Sequence, residues 1–230
     1  MNVAIIPARG GSKRIPRKNV RDFCGKPMIA WPIAAAISSG LFERIVVSTD
    51  DEAIAAVARA AGADVPFLRP AELSDDHATT SAVVSHALEW LIDDGCPIEA
   101  ACCLYATAAF VTGDDLEQAH ALLGPDCDFA FPALRYAHPP QRGFTRGANG
   151  SPDMIQPDQR HTRTQDLPPV FHDAGQFYWG KSEAWLESRP IFGPHSSFIE
   201  LSPDRGWDID RPEDWAMAER LFMATRSAPR

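Results

Sequence analysis

The sequence lacks any apolar run that approaches the ~20 residues of a membrane-spanning helix. Met1 and Asn2 lead directly into the strand-like segment Val3–Ile6, without the charged and apolar regions of a signal peptide. These absences argue against membrane insertion and against export. We therefore expect a cytoplasmic protein that has no membrane partner.

Cysteine is scarce and irregularly placed, with five residues and no C-x-x-C spacing, so a disulfide framework is not expected. Cys102 and Cys103 lie inside an apolar run, which predicts that both are small buried core residues. The seven histidines show neither H-x-x-x-H spacing nor clustering with cysteine, so a zinc site is not expected either.

Positive charge is also in deficit, because 22 Lys and Arg residues against 31 Asp and Glu residues give a net charge of −9. This balance argues against a general nucleic-acid-binding protein. A hydrophobic content of 45% and a charged content of 23% are ordinary for a globular protein. The length of 230 residues fits one domain that spans the whole chain, 1–230.

The positive charge that is present is concentrated in one loop. The apolar strand that ends near Ile6 runs into a segment with adjacent glycines, Gly10 and Gly11, whose backbone N–H groups could turn toward an anion. Ser12 adds a hydroxyl donor, and the ten residues 9–18 contain five cations: Arg9, Lys13, Arg14, Arg17 and Lys18. The spacing matches neither a Walker loop nor a dinucleotide-binding loop. A solvated basic turn is the alternative, but the pattern favours a polyphosphate site.

Apolar runs of strand length alternate with helical patterns along the first 130 residues, which predicts an α/β fold. The predicted strands are Val3–Ile6, Arg44–Ser48, Val65–Leu68, Ala101–Tyr105, Asp128–Pro132 and Gln176–Trp179. The predicted helices are Met28–Ser38, Asp51–Ala61, Thr80–Asp93, Gly113–Leu123 and a last one from Pro212, with a frayed tail after Thr225. This alternation predicts a three-layer structure, a mostly parallel sheet with helices on both faces, with ligands at the carboxyl ends of the strands.

Residues 135–170 interrupt the alternation with six prolines and scattered Arg and His. A long irregular segment in a compact domain is typical of a lid, a binding loop or an arm exchanged with a partner.

Two acidic segments could bind a metal ion. Asp208 and Asp210 flank Ile209, so in an extended chain both carboxylates would face one side and could bind Mg²⁺. A capped strand-to-helix turn is the alternative at this site. Asp50 and Asp51 follow the predicted strand Arg44–Ser48, and there a helix N-cap is favoured over a metal or hydroxyl site.

Four ordered segments resemble the CMP-sialic acid synthetase, or acylneuraminate cytidylyltransferase, family. They are the basic loop 5–19, the R-P-A-E-L-S-D-D-H-A segment 69–78, the L-Y-A-T-A-A-F segment 104–110 and the W-D-I-D-R-P-E-D segment 207–214. The resemblance implies the nucleotide-diphospho-sugar transferase (GT-A-like) fold and transfer of CMP from CTP to a nine-carbon sugar acid. It also implies Mg²⁺ as cofactor and a homodimer whose insertion is 135–170.

The resemblance also implies roles for individual residues. It implies that Lys18, Arg9, Asp208 and Asp210 are the catalytic residues and that the two aspartates bind the metal. The nucleotide is bound by Arg9, Gly10, Gly11, Ser12, Lys13, Lys18, Asn19, Arg69, Ala78 and Thr80. The sugar is bound by Tyr105, Thr107, Arg163, Gln165, His172, Asp173 and Gln176.

Tyr105 stands where sialic acid enzymes carry a glutamine, which exchanges an amide for a phenol and puts ordinary sialic acid in doubt as the substrate. This loop, together with Thr164–Asp166 and the H-D-A-G-Q-F-Y-W-G segment from His172, resembles the pseudaminic acid branch of the family. The expected product is therefore CMP-pseudaminic acid, with legionaminic and N-acetylneuraminic acids as alternative acceptors. A non-catalytic nucleotide-binding module is the alternative from another class.

Overall fold

The fold is built around a short strand whose residues are apolar on both faces. The structure is a computed structural model that describes residues 1–227. Strand β1 (Asn2–Pro7) has four consecutive fully buried residues, Val3–Ile6, as expected for a central strand covered on both sides. The predicted strand at the beginning of the chain is therefore confirmed.

The other strands are β2 (Asp22–Phe23), β3 (Lys26–Pro27), β4 (Arg44–Ser48), β5 (Ala100–Leu104), β6 (Phe129–Arg135), β7 (Phe144–Arg146), β8 (Pro152–Met154), β9 (Phe171–Asp173), β10 (Phe177–Lys181) and β11 (Ser196–Leu201). The helices are α1 (Ala30–Ser39), α2 (Glu52–Ala60), α3 (Thr80–Asp93), α4 (Gly113–His120), α5 (Ser182–Leu186) and α6 (Pro212–Ser227). Helix α6 continues two residues past Thr225, and the rest of the tail that was expected to fray lies outside the described residues.

The main sheet has the strand order β11-β6-β10-β5-β1-β4, with β9 paired to β6. Within residues 1–227, β1, β4, β5, β6 and β11 run in one direction, whereas β9 and β10 run against them. The expected mostly parallel sheet is confirmed. Strand β1 lies between β4 and β5, so the chain adds one strand on one side of β1 and the next strand on its other side. The strand order therefore reverses at β1, and such a reversal leaves a crevice at the carboxyl end of the strand.

Side chains alternate between the two faces of the sheet and meet helices on both. On one face, Ala4 and Ile6 pack with residues of α1, α2 and α4. On the other face, Val3 and Ile5 pack with residues of α3 and α5. This arrangement gives the predicted three layers. Cys102 and Cys103 are fully buried between the layers, so the prediction that they are core residues is confirmed.

Helix ends near the crevice are fixed by short polar side chains. The Asp51 carboxylate accepts hydrogen bonds from the backbone N–H groups of Ala53 and Ile54, which makes Asp51 the N-cap of α2. Thr112 and Asp115 form a reciprocal capping box at α4. The interpretation of the Asp50–Asp51 pair as a helix cap is therefore confirmed for Asp51.

The prediction of a strand at Val65–Leu68 is wrong. Leu68 makes an isolated bridge with Thr49, and Asp64, just before the segment, makes one with Val46, because the chain leaves the edge of β4 between the two contacts. Strands β9 and β11 and the short helix α5 were not predicted from the sequence. Among residues 1–227, no helix combines the length and the apolar character needed to cross a membrane.

Candidate functional site

A cavity of about 390 Å³ lies at the carboxyl end of β1. The loop after β1 forms one wall through Arg9, Ser12, Lys13, Arg14, Ile15, Lys18 and Asn19. The other walls come from Asp76, from Tyr105–Thr107 after β5, and from Asp210 before α6. Four segments that are distant in the sequence therefore converge at the crevice where the strand order reverses.

The loop after β1 is held in shape by its own polar groups. The Ser12 hydroxyl donates to the Ile15 carbonyl oxygen over 2.7 Å, and the buried Asn19 amide donates to the Arg9 carbonyl oxygen over 3.1 Å. Arg17 has a left-handed backbone with φ of 54°, an uncommon conformation for a residue other than glycine, immediately before the 3₁₀ turn Lys18–Val20. The loop is thus a defined turn that carries Lys18 into the cavity.

The two glycines of the loop differ in their surroundings. The Gly10 N–H group donates to Asp50 Oδ1 over 2.8 Å, and a Cβ atom at Gly10 would lie 2.8 Å from Asp51 Oδ2. The close approach of the loop to the start of α2 therefore requires glycine at this position. A Cβ atom at Gly11 would meet no atom within 4 Å, so its backbone faces open space.

Lys18 lies at the junction of the basic loop and the acidic segment. Its ammonium group donates to the Ile209 carbonyl oxygen over 2.5 Å and lies 3.7 Å from Asp210 Oδ1. Burial lowers the pKa of Lys18, although the charges of Asp210 and Asp208 act in the opposite direction. Lys18 is therefore a partly desolvated cation directed at the place where the two segments meet.

Asp208 and Asp210 flank Ile209, which is fully packed into the core beside α6. Asp210 also pairs with Arg14 over 2.7 Å, and its backbone N–H group donates to Asp214. The pKa of Asp208 is raised, first by desolvation from the atoms that crowd it and then by the negative charge of Asp210, although part of the side chain is in contact with solvent. Two carboxylates thus share one small region that a cation would stabilise.

This pair suits Mg²⁺ better than a metal held by protein ligands alone. Among residues 1–227, no group of three or more His, Cys, Asp or Glu side chains is placed to hold a metal ion. Magnesium commonly binds through one or two carboxylates and completes its octahedron with water and substrate phosphates. The donor set of Asp208 and Asp210 fits that pattern.

The segment 69–80 lies beside the loop. Arg69 is 6% exposed, and its guanidinium lies 4.0 Å from Asp50 and donates to the Ser74 hydroxyl over 3.3 Å. Burial lowers the pKa of Arg69. Asp75 Oδ1 accepts from the N–H groups of His77 and Ala78, each over 2.8 Å, which forms a tight turn before α3.

Tyr105 connects that segment with the far side of the cavity. Its hydroxyl lies 3.3 Å from the Thr80 hydroxyl, and its ring packs edge-on against Tyr178 at 5.7 Å between ring centres. The Tyr178 hydroxyl donates to the Asp173 carboxylate. Burial is the main cause of the raised pKa of Tyr105, so the phenol stays protonated and can donate a hydrogen bond.

Of the seven predicted sugar-binding residues, only Tyr105 and Thr107 line this cavity, whereas Arg163, Gln165, His172, Asp173 and Gln176 do not. Arg163 and Gln165 are exposed in the segment 135–170, near a second cavity of about 270 Å³ whose lining includes five prolines. His172 is exposed and packs against the ring of Tyr136. Gln176 is buried and donates to the Arg205 carbonyl oxygen over 2.6 Å, so its amide nitrogen is already used within the fold.

Sequence reasoning missed two residues at this site. Asp76 pairs with Arg9 over 2.7 Å and with Lys13 over 2.5 Å. Arg205 donates to Asp115, within the capping box of α4, and to the Phe110 carbonyl oxygen, which fixes the chain that leads to Asp208. Asp76 lay within a recognised segment and could have been found there. No sequence pattern marks Arg205.

Comparison with known proteins gives a consistent assignment. A family model described as Cytidylyltransferase matches residues 3–133. Pseudaminic acid cytidylyltransferase of Campylobacter jejuni subsp. jejuni serotype O:2 is 45% identical over 228 residues, which cover 99% of this chain and 98% of that protein. The CMP-N,N'-diacetyllegionaminic acid synthase of Legionella pneumophila is 30% identical, covering 98% of each chain.

Two solved structures share the fold at low identity. CMP:2-keto-3-deoxy-manno-octonic acid synthetase complexed with CTP has a TM-score of 0.70 and 18% identity, and the match covers 98% of this chain and 99% of that one. The 4-diphosphocytidyl-2C-methyl-D-erythritol synthase of Anaerococcus prevotii has a TM-score of 0.63 and 12% identity, with coverage of 96% and 98%. At these identities, the two matches support the fold alone.

Proposed function

Because the chain belongs to the cytidylyltransferase family and is thus a nucleotidyltransferase, we propose that it makes CMP-pseudaminic acid from CTP and pseudaminic acid. The anomeric hydroxyl oxygen attacks the α-phosphorus of CTP and forms a new O–P bond. The bond from the α-phosphorus to the bridging oxygen breaks, pyrophosphate leaves, and the hydroxyl proton is released. The full-length identity to the Campylobacter enzyme is the observation that carries the choice of sugar.

The basic loop would bind the triphosphate. Arg9, Ser12, Lys13 and Lys18 line the cavity, and Lys18 is the cation placed nearest to Asp210 among them. Phosphoryl-transfer enzymes work mainly by positioning and charge stabilisation. We assign Lys18 to the charge that develops on the α-phosphate and the leaving pyrophosphate. Asn19 would support the loop through its bond to Arg9 and face the ribose or a phosphate.

Asp208 and Asp210 are the residues that would hold Mg²⁺. When bound there, the ion would neutralise phosphate oxygens and lower the pKa of the attacking hydroxyl. Asp210 also balances the charges of Arg14 and Lys18. Its carboxylate would therefore lie between the phosphate-binding cations and a bound metal ion.

Arg69, Ala78 and Thr80 would recognise cytosine. The small side chain of Ala78 allows close approach of a flat base, and the side chains of Arg69 and Thr80 offer directional hydrogen bonds to its edge. Tyr105 and Thr107 would line the sugar side of the site, and Asp173 and Gln176 would contact the sugar from outside the cavity described above. Of these, Tyr105 bridges the two sides through its contact with Thr80.

Replacing Arg69 with alanine is expected to raise the KM for CTP by roughly 10- to 100-fold, the effect of removing a charged partner from a base edge. The same change should leave any weak use of ATP nearly unaffected. Initial rates of pyrophosphate release with each nucleotide measure both effects. Equal losses with CTP and ATP would instead indicate that Arg69 stabilises the loop through Asp50 rather than reading the base.

We also propose a homodimer in which segment 135–170 is exchanged between subunits. The hairpin β7–β8 leaves Phe144 66% exposed and Ile155 61% exposed, which suits burial against a second copy. Arg163 and Gln165, which lie in that segment, would then complete the partner's sugar site rather than their own, and His172, at the end of the segment, would lie next to them. Light scattering should give twice the monomer mass, and deleting 144–154 should give the monomer mass.

We place the reaction in the cytoplasm, since an odd number of cysteines without C-x-x-C spacing suits a reducing compartment.

Pyrophosphate release with CTP and Mg²⁺ tests the function directly. Pseudaminic, legionaminic and N-acetylneuraminic acids are compared as acceptors, and pseudaminic acid is expected to give the highest kcat/KM. Preference for another of these sugars would keep the reaction and overturn the substrate. No release with any of them, together with measurable CTP binding, would favour a non-catalytic nucleotide-binding module.

A further inference from the structure

The phosphate-binding cations at the mouth of the cavity already have an anionic partner. Asp76 Oδ1 lies 2.7 Å from Arg9 Nη1, and Asp76 Oδ2 lies 2.5 Å from Lys13 Nζ. Each carboxylate oxygen therefore meets a different cation, as two oxygens of one phosphate group would. Arg9 also donates to the Asp75 carbonyl oxygen over 2.8 Å, which adds a third contact between the two loops.

The loop around Asp76 is built to present this carboxylate. The carboxylate of its neighbour Asp75 accepts hydrogen bonds from the backbone N–H groups of His77 and Ala78. The chain therefore makes a tight turn with Asp76 at its tip. The hydrogen bonds from Lys13 and Arg9 lower the pKa of Asp76, so its carboxyl group is ionised at neutral pH. The side chain is about half-exposed, so nothing encloses the pair and a ligand can reach it.

We propose that Asp76 is an internal counter-anion that takes the place of a phosphate group between Arg9 and Lys13 and has to be displaced when the nucleotide binds. This inference rests on the proposed function, since it concerns the ligand of the same loop. Any phosphate group that binds Arg9 and Lys13 has to displace Asp76 first. The cost of that displacement lowers the affinity of every such ligand by the same factor. CTP tolerates that factor because it also reaches Lys18, whereas a phosphate group held by Arg9 and Lys13 alone has no such further contact.

The same competition bears on product release. Once the bond to the α-phosphate is broken, pyrophosphate is held by the loop cations, and Asp76 can return to them as it leaves. Asp76 thus lowers the affinity of the loop for pyrophosphate. Removal of its charge should therefore strengthen product inhibition even though Asp76 takes no part in the bond-breaking step.

Isothermal titration of the full chain with pyrophosphate and with tripolyphosphate, in metal-free buffer of low ionic strength, tests the proposal. For Asp76→Asn, the Kd of both anions should fall roughly fivefold, the upper range for exposed ion pairs, and the difference should shrink as salt is added. The inhibition constant of pyrophosphate against CTP should fall in parallel. Unchanged or weaker binding by Asp76→Asn would overturn the proposal.

Glu72→Gln is the matched control. Glu72 is exposed in the 3₁₀ turn of the same segment and is not among the described partners of Arg9 or Lys13, so it tests the effect of net charge alone. An equal gain in both variants would overturn the specific role of Asp76.

Lys13→Ala tests whether the loop after β1 binds phosphate at all. If that variant binds pyrophosphate as the wild type does, the loop assignment is wrong and the Asp76 proposal fails with it, whereas the sugar assay tests the reaction separately.

Discussion

The Asp210→Asn variant is expected to lose roughly 100- to 1,000-fold in turnover, comparable to the loss of a preorganised electrostatic group in an active site. Asparagine keeps the size of the side chain but removes the charge that would hold Mg²⁺ and that balances Arg14 and Lys18. Because the paired side chains are partly exposed, the melting temperature should change little. Pyrophosphate release as a function of Mg²⁺ concentration is the measurement, with a thermal melt as the check on folding.

Asp204→Asn is the matched control for this change. Asp204 is an exposed carboxylate in the 3₁₀ turn that precedes the acidic segment, so its loss alters net charge to the same extent. The control should keep normal turnover and a normal Mg²⁺ requirement. Near-normal turnover in Asp210→Asn would remove Asp210 from the metal site, and an equal loss in both variants would point to a general effect of charge.

The Lys18→Met variant is expected to lower kcat by roughly 100- to 1,000-fold with a smaller change in the KM for CTP. Methionine fills the volume of the lysine stem but cannot stabilise the charge that develops at the phosphates. The remaining cations of the loop, Arg9 and Lys13, would still bind the triphosphate. Steady-state kinetics separate the two parameters, and Lys26→Met, which alters an exposed lysine packed over the Trp31 ring, is the control.

The pH dependence of Lys18 gives an independent test of the same assignment. Burial lowers the pKa of Lys18, so its proton is lost at a lower pH than that of an ordinary lysine. Since the charged form is the active one, kcat should fall on the alkaline side as the pH rises through that pKa. Lys18→Arg keeps its charge at higher pH and should move or remove this limb. An alkaline limb that is identical in both proteins would assign it to another group.

Much of the fold could be predicted from local sequence. Strands β1, β4 and β5 are continuous apolar runs because they are covered on both faces, and such runs are visible without tertiary information. Helices α3 and α4 begin close to their predicted starts, where threonine side chains cap them. The segment 65–68 was assigned wrongly because its composition suits a strand, whereas its pairing depends on how far it follows β4.

Sequence also determined the candidate site in outline, since the basic loop and the acidic pair are short, dense patterns whose chemistry is local. The tertiary structure decided which of those charges meet. Asp76 lies 63 residues from Lys13, and Arg14 lies 196 residues from Asp210, yet each pair is in direct contact. Arg205 and Tyr178 are likewise brought near the site by the tertiary fold. Ion pairs and hydrogen bonds act over a few ångströms, so only the folded chain fixes which distant groups are neighbours.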